Sequence, residues 1–192
     1  MKLESTALGV SNLALIGFRA SGKTSVGQTL AARLGWTFVD MDERLVAGFG
    51  TDIHTWVRQH GWDAFRETEA HLLGELATIQ KQVVATGGGV ILRPDNRERL
   101  RRCFLVVWLR ASAATIETRL AQDPITASQR PPLTDLSWQD EIGQLLIERT
   151  PLYAATAHMA LDTEGLGIAD LVAAILLRSR LTKGKPSSPP EV

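Results

Sequence analysis

The chain lacks the material for several kinds of protein. A single cysteine, Cys103, stands among its 192 residues, so no internal disulfide can form and a reducing cytoplasm is the expected setting. Cys103 heads the apolar run "CFLVVWL", where a buried structural thiol is expected rather than a nucleophile. Charge of one sign is also missing: 21 Lys and Arg balance 21 Asp and Glu, leaving no basic field for a nucleic acid or an anionic membrane. No apolar stretch approaches the roughly 18 residues that a membrane span needs. The first ten residues include Glu4 and no apolar core of an export signal. His54, His60, His71 and His158 form no paired spacing and have no cysteine partner, so metal ligation by them is not expected. There is no internal repeat.

What is present is an alternation of apolar strands and amphipathic helices, the pattern of a parallel sheet covered on both faces. The length suits one α/β domain able to bury roughly 70% of its unfolded surface. Strands are expected at 13–18, 36–40, 82–86, 103–109 and 158–162. The last of the intervening helices is marked by Ile168, Leu171, Val172, Ile175 and Leu176. Residues 42–80 read as helices broken at Gly48–Gly50 and at Gly61, with Thr51 or Asp52 as a cap. Residues 112–121 and 137–149 read as two more helices, and "QDPITASQRPPLTD" between them as a mobile loop. The expectation is a three-layer αβα domain over residues 1–180 with a five-stranded parallel sheet and inserts at about 42–80 and 122–135. Residues 181–192, rich in Pro, Ser and Lys, are expected to be a disordered tail.

"GFRASGKT", residues 17–24, satisfies G-x-x-x-x-G-K-[ST] between a strand and a helix. The glycines let successive N–H groups curl inward onto phosphate oxygens. Lys23 supplies a point charge for the β- and γ-phosphates, and Thr24 a hydroxyl for magnesium. The following helix adds its positive end. The loop identifies a nucleotide site and leaves open whether the γ-phosphate is hydrolysed, sensed or transferred.

Three further stretches bear on that choice. In "FVDMDER", Asp40 ends a strand beside the phosphate loop, where it could share the magnesium shell, and Asp42 could accept a hydrogen bond from a substrate hydroxyl; both could instead cap the next helix. In "GWDAFRETE", Arg66 is either an anion ligand or the partner of Asp63 or Glu69 at helical spacing. In "VVATGGGV", Gly87, Gly88 and Gly89 allow a ligand to approach the backbone closely. Arg130 lies in the loop at "RPPLTD", and Arg149 at a helix end in "ERTPLY".

Taken in order, "GFRASGKTSVG", "DMD", "FRETE", "GGG", "RPPLTD" and "ERTPLY" resemble the shikimate kinases, in the nucleoside-monophosphate-kinase-like branch of P-loop proteins. The resemblance implies transfer of the γ-phosphate of ATP to the 3-hydroxyl of shikimate, with Mg²⁺ as cofactor, in a cytoplasmic monomer on the route to chorismate. It also implies roles. Lys23 and the backbone of Ala20, Ser21, Gly22, Thr24 and Ser25 hold the nucleotide phosphates, and Thr24 with Asp40 holds the metal. Asp42 binds the ring hydroxyls, Arg66 and Arg149 clamp the carboxylate, and Gly87, Gly88 and Gly89 line that pocket. Arg130 folds over the transferring phosphate and Arg119 packs against adenine. Nucleic-acid and membrane partners are not expected. The sequence departs from the family where Trp62 follows Gly61, a position commonly occupied by Glu, so a carboxylate partner for Arg66 is expected to be missing. "TEGLG" also lacks the basic residue that often contacts adenine. Rival readings are a kinase of another polyol acid such as gluconate, and a nucleotide-binding homologue without catalysis.

Overall fold

The computed structural model describes residues 12–122 and 138–181. The N-terminal eleven residues, the stretch holding Arg130 and most of the expected tail lie outside them. Strands β1 (Asn12–Ile16), β2 (Thr37–Asp40), β3 (Gln82–Ala85), β4 (Leu105–Arg110) and β5 (Met159–Asp162) form one sheet in the order β2-β3-β1-β4-β5. Every neighbouring pair is parallel. The helices are α1 (Lys23–Leu34), α2 (Met41–Phe49), α3 (Ile53–Leu76), α4 (Pro94–Cys103), α5 (Ala113–Ala121), α6 (Trp138–Thr156) and α7 (Ile168–Leu181). The expected αβα layering and five-stranded sheet are therefore both present.

Period-two alternation divides the buried strands between two cores. Leu13, Leu15, Val107 and Leu109 pack against Val26 and Leu30 of α1 and Val172 and Ile175 of α7. Ala14, Ile16, Val106 and Trp108 face the other way, against Met41, Phe65, Leu73, Leu100 and Tyr153. A smaller cluster of Phe18, Ile116, Leu120, Ile142 and Leu145 joins the phosphate loop to α5 and α6. Because β1 lies at the centre of the order, its carboxyl end opens between connections that leave in opposite directions, the place where open α/β sheets bind ligands.

Local chemistry explains the boundaries. Gly35 ends α1 and Gly50 ends α2, each in the left-handed conformation. Asp52, of the two candidates, caps α3 by accepting from Thr55 N–H at 2.8 Å. Gly61 sits inside α3 with φ 84° and ψ 165°, so the helix is two helices joined at a kink.

Two expectations need correction, and one helix had no counterpart among them. Helix α6 does not stop at residue 149 but runs through Pro151 to Thr156. Proline removes only the bond to the carbonyl four residues earlier, and both Pro151 and Ile147 lie on the solvent side, where water can serve that carbonyl. Residues 94–103, too polar to show an apolar stripe, form α4, which is tied down by its arginines. Arg97 donates to the carbonyls of Ile91 and Leu92, Arg99 to that of Ala70, and Arg101 to that of Ala155. Cys103 is the half-buried last residue of α4 rather than the head of a buried strand.

Candidate active site

The phosphate loop leaves β1 at Ile16 and enters α1 at Lys23. Gly17 has φ 145°, and a Cβ there would lie 2.5 Å from the Leu109 carbonyl oxygen, so only glycine fits between the loop and β4. Lys23 is 9% exposed and donates to the carbonyls of Gly17 and Phe18 at 3.0 and 2.7 Å, folded onto the loop it serves. Thr24 donates from its hydroxyl to Asp40 Oδ2 at 2.8 Å. Asp40 Oδ1 meanwhile accepts from the backbone N–H of Asp42 at 3.0 Å, capping α2. One Asp40 oxygen thus caps the helix, and the other meets Thr24 beside the phosphate loop.

A cleft of about 720 Å³ runs over this loop, lined by Ala20 through Ser25, Asp40, Arg119, Thr163, Leu166 and Ile168. Arg119 is held by the Ala20 carbonyl at 3.1 Å and the Thr163 hydroxyl at 3.2 Å, which places its guanidinium on the wall of the cleft. Leu166 and Ile168, 47% and 44% exposed, offer an apolar wall where "TEGLG" offers no cation.

A second, smaller cavity of about 90 Å³ opens beside it, lined among others by Asp42, Trp62, Arg66, Glu69, the glycine triplet and Arg149. Every residue expected at the acceptor site comes together here. Arg19, Asp42, Ile53 and Gly88 line both cavities and form the wall they share. On Gly87, a Cβ would lie 2.7 Å from Glu69 Oε1 and 2.9 Å from Asp42 Oδ1; on Gly89, it would overlap the Arg66 guanidinium. Gly87 and Gly89 are glycine because charged side chains crowd their Cα atoms.

The electrostatics distinguish the three arginines. Arg66 pairs with Glu69 at 2.8 Å, and Glu69 is 1% exposed. Arg66 therefore makes the ion pair with Glu69 and also lines the cavity. The carboxylate expected to be missing at residue 62 is supplied by Glu69, while Trp62 lies under the Arg66 guanidinium, 5.2 Å from ring centroid to Cζ. Burial pushes the Glu69 carboxyl above its usual range, and the neighbouring Arg66 charge holds it down in part. Arg19 pairs with the buried Glu141 of α6 at 2.9 Å. Arg149 is 7% exposed and has no carboxylate partner among the described residues, and its Nε has no hydrogen-bond partner there. It rests against the Phe18 ring at 5.7 Å.

Sequence reasoning gave no role to Arg19, Glu141 or Tyr153. Only Tyr153 left a signal, four residues after Arg149 and so on the same helical face.

A central parallel sheet, a phosphate loop between β1 and α1 and an adjoining cationic cavity define a P-loop phosphotransferase. The comparisons narrow that class. The shikimate kinase family matches residues 19–179. A shikimate kinase of Nitratidesulfovibrio vulgaris is 46% identical over 149 residues, 78% of this chain and 85% of its own length. One from Thermodesulfovibrio yellowstonii is 38% identical over 177 residues, covering 92% of this chain and 99% of its own. The solved shikimate kinase from Acinetobacter baumannii, in complex with shikimate, superposes with a TM-score of 0.86 at 32% identity over 94% of this chain and 99% of that one. A gluconokinase from Sinorhizobium meliloti shares the fold at TM-score 0.54 and 18% identity. The chain belongs to the shikimate kinase family.

Proposed function

We propose that the residues of the two cavities divide between them the family's reaction, transfer of the γ-phosphate of ATP to the 3-hydroxyl of shikimate. The observation that carries this reading is Arg149. A buried guanidinium with no carboxylate partner among the described residues is costly unless a ligand supplies the opposite charge. Shikimate brings one carboxylate and three hydroxyls. Its carboxylate goes to Arg149 and Arg66, whose planar forks suit bidentate contact, and its hydroxyls go toward Asp42.

That orientation points the attacking hydroxyl at the wall shared with the nucleotide cleft. Asp42 accepts its hydrogen bond and orients it; a loose phosphoryl transition state asks for alignment more than for a strong base. Lys23 exchanges its loop carbonyls for phosphate oxygens, and the backbone of residues 20–25 holds the phosphates. The Thr24 hydroxyl and Asp40 carboxylate are hard oxygens 2.8 Å apart, a donor set that fits a magnesium ion which keeps most of its waters. Magnesium, when bound there with the nucleotide, neutralises phosphate charge. Arg130, outside the described residues, is assigned by the resemblance to the transferring phosphoryl group, and Arg119 to the adenine side. We read the chain as a cytoplasmic monomer; among the described residues no helix is long and apolar enough to cross a membrane.

The test is an acceptor screen. Mg-ATP is offered with shikimate, quinate, gluconate or a nucleoside monophosphate, and ADP release is followed. Shikimate-dependent ADP release is expected, together with loss of shikimate affinity by roughly 2–5 kcal/mol in Arg149→Ala. Turnover with gluconate alone, or nucleotide binding without any turnover, would each refute the assignment.

A further inference from the structure

One buried group lies close to the chemistry and is used by no reaction step. Tyr153 is 1% exposed and lines neither cavity. Its ring stacks on Trp108 at 5.7 Å and 24°, which would make it an ordinary core aromatic. Its hydroxyl is not ordinary. It donates to the Gly88 carbonyl at 2.5 Å, across 65 residues of sequence. The charge of Arg149, one helical turn earlier, acts on the same hydroxyl. Gly88 in turn packs against the phosphate loop: a Cβ there would stand 3.5 Å from Arg19 N, 3.6 Å from Gly17 O and 3.7 Å from Tyr153 Oη.

We propose that Tyr153 is a positioning residue for the acceptor, its hydroxyl fixing the Arg149 guanidinium and the Gly88 wall in one register relative to the phosphate loop. The inference rests on the assignment of Arg149 and the glycine triplet to shikimate. A single hydroxyl is bonded to the backbone that separates acceptor from donor and lies in the field of the cation that receives the carboxylate, so it links the two. Burial keeps the phenol protonated, since it pushes the hydroxyl well above its usual range while the Arg149 charge opposes. The oxygen can therefore donate and accept at once at any working pH.

Tyr153→Phe keeps the ring and its stacking and removes only this oxygen. The shikimate KM should rise about tenfold, the size of one hydrogen bond to a charged group, while the ATP KM stays within about twofold. The melting temperature should fall by no more than a few degrees, the cost of leaving the Gly88 carbonyl without its donor. In an Arg149→Lys background the same change should add little, because the group through which the hydroxyl acts is already displaced. Trp108→Phe, which loosens the ring without touching the oxygen, should lower the melting temperature and leave the shikimate KM in place. Kinetics equal to those of the parent would overturn the proposal. So would a uniform decline of every constant, a penalty that adds in full to Arg149→Lys, or failure of Tyr153→Phe to fold. Absence of shikimate-dependent ADP release in the unaltered chain is a different result: it removes the assigned reaction and this role with it.

Discussion

Gly89→Ala tests the acceptor site through sterics alone. The backbone at Gly89 has φ −102° and ψ 1°, which alanine adopts without strain. The added methyl would overlap the Arg66 guanidinium, the movable end of a flexible side chain, so Arg66 has to yield. In yielding it abandons the 2.8 Å bond to Glu69 and its place on the cavity wall. A hydrogen bond between charged groups is worth about 1.5–3 kcal/mol, so shikimate should bind roughly 10- to 150-fold more weakly. The fold should lose less. Glu69, its carboxyl already raised by burial, can take a proton when Arg66 leaves, which limits the loss to about 1–2 kcal/mol, or a few degrees of melting temperature. Isothermal titration with shikimate and with ADP separates the effects, ADP affinity being expected to hold. Gly88→Ala is the control for stability, because its methyl would meet every neighbour at 3.5 Å or more and should melt like the parent. Shikimate affinity unchanged in Gly89→Ala, or shikimate and ADP affinity lost in parallel, would refute the reasoning.

Two other outcomes follow from single contacts. Asp40→Asn retains a good helix cap, so the melting temperature should stay within a few degrees, while turnover falls at least about tenfold and demands more magnesium; a magnesium dependence like the parent's would remove Asp40 from the metal shell. His158 accepts the Val106 N–H on Nδ1 at 3.0 Å, and burial, assisted by the Arg101 charge, lowers its pKa below 6.5. The unfolded chain therefore takes up the proton first as pH falls, so stability is whole above the unfolded value and declines as pH drops through 6.5 toward the folded one. The residue is exposed overall and the effect is accordingly small. Melting temperature should fall more between neutral and mildly acidic pH in the parent than in His158→Asn, whose amide oxygen can accept the same bond; equal pH profiles would exclude the histidine.

Much of this was legible in the sequence because short-range chemistry carried it. The phosphate loop fixes its own neighbours, since G-x-x-x-x-G-K-T works only between a strand and a helix. Gly35, Gly50 and Asp52 announce helix ends through backbone and side-chain rules that need no tertiary context. Helix α4 was illegible for the opposite reason. Its four arginines show no apolar stripe, and several act by reaching carbonyls on other elements. The end of α6 was obscured by Pro151, whose local rule is overridden where the unpaired carbonyl faces water. At the site, the residue types were readable but their partners were not. Arg66 with Glu69 follows from helical spacing, whereas Arg19 with Glu141 joins residues 122 positions apart, and nothing local anticipates it.

Gly88 has a practical consequence. The partition between the two cavities is, at that residue, no thicker than a peptide backbone. A molecule joining an adenine nucleotide to a cyclic hydroxy acid would therefore need almost no spacer beyond a phosphoryl-sized bridge. Tethering the halves at so short a span turns the second binding event into an intramolecular one at high effective concentration. Bisubstrate inhibitors of this enzyme should thus gain more from a rigid, short linker than from any added contact, and each extra methylene between the halves should cost affinity.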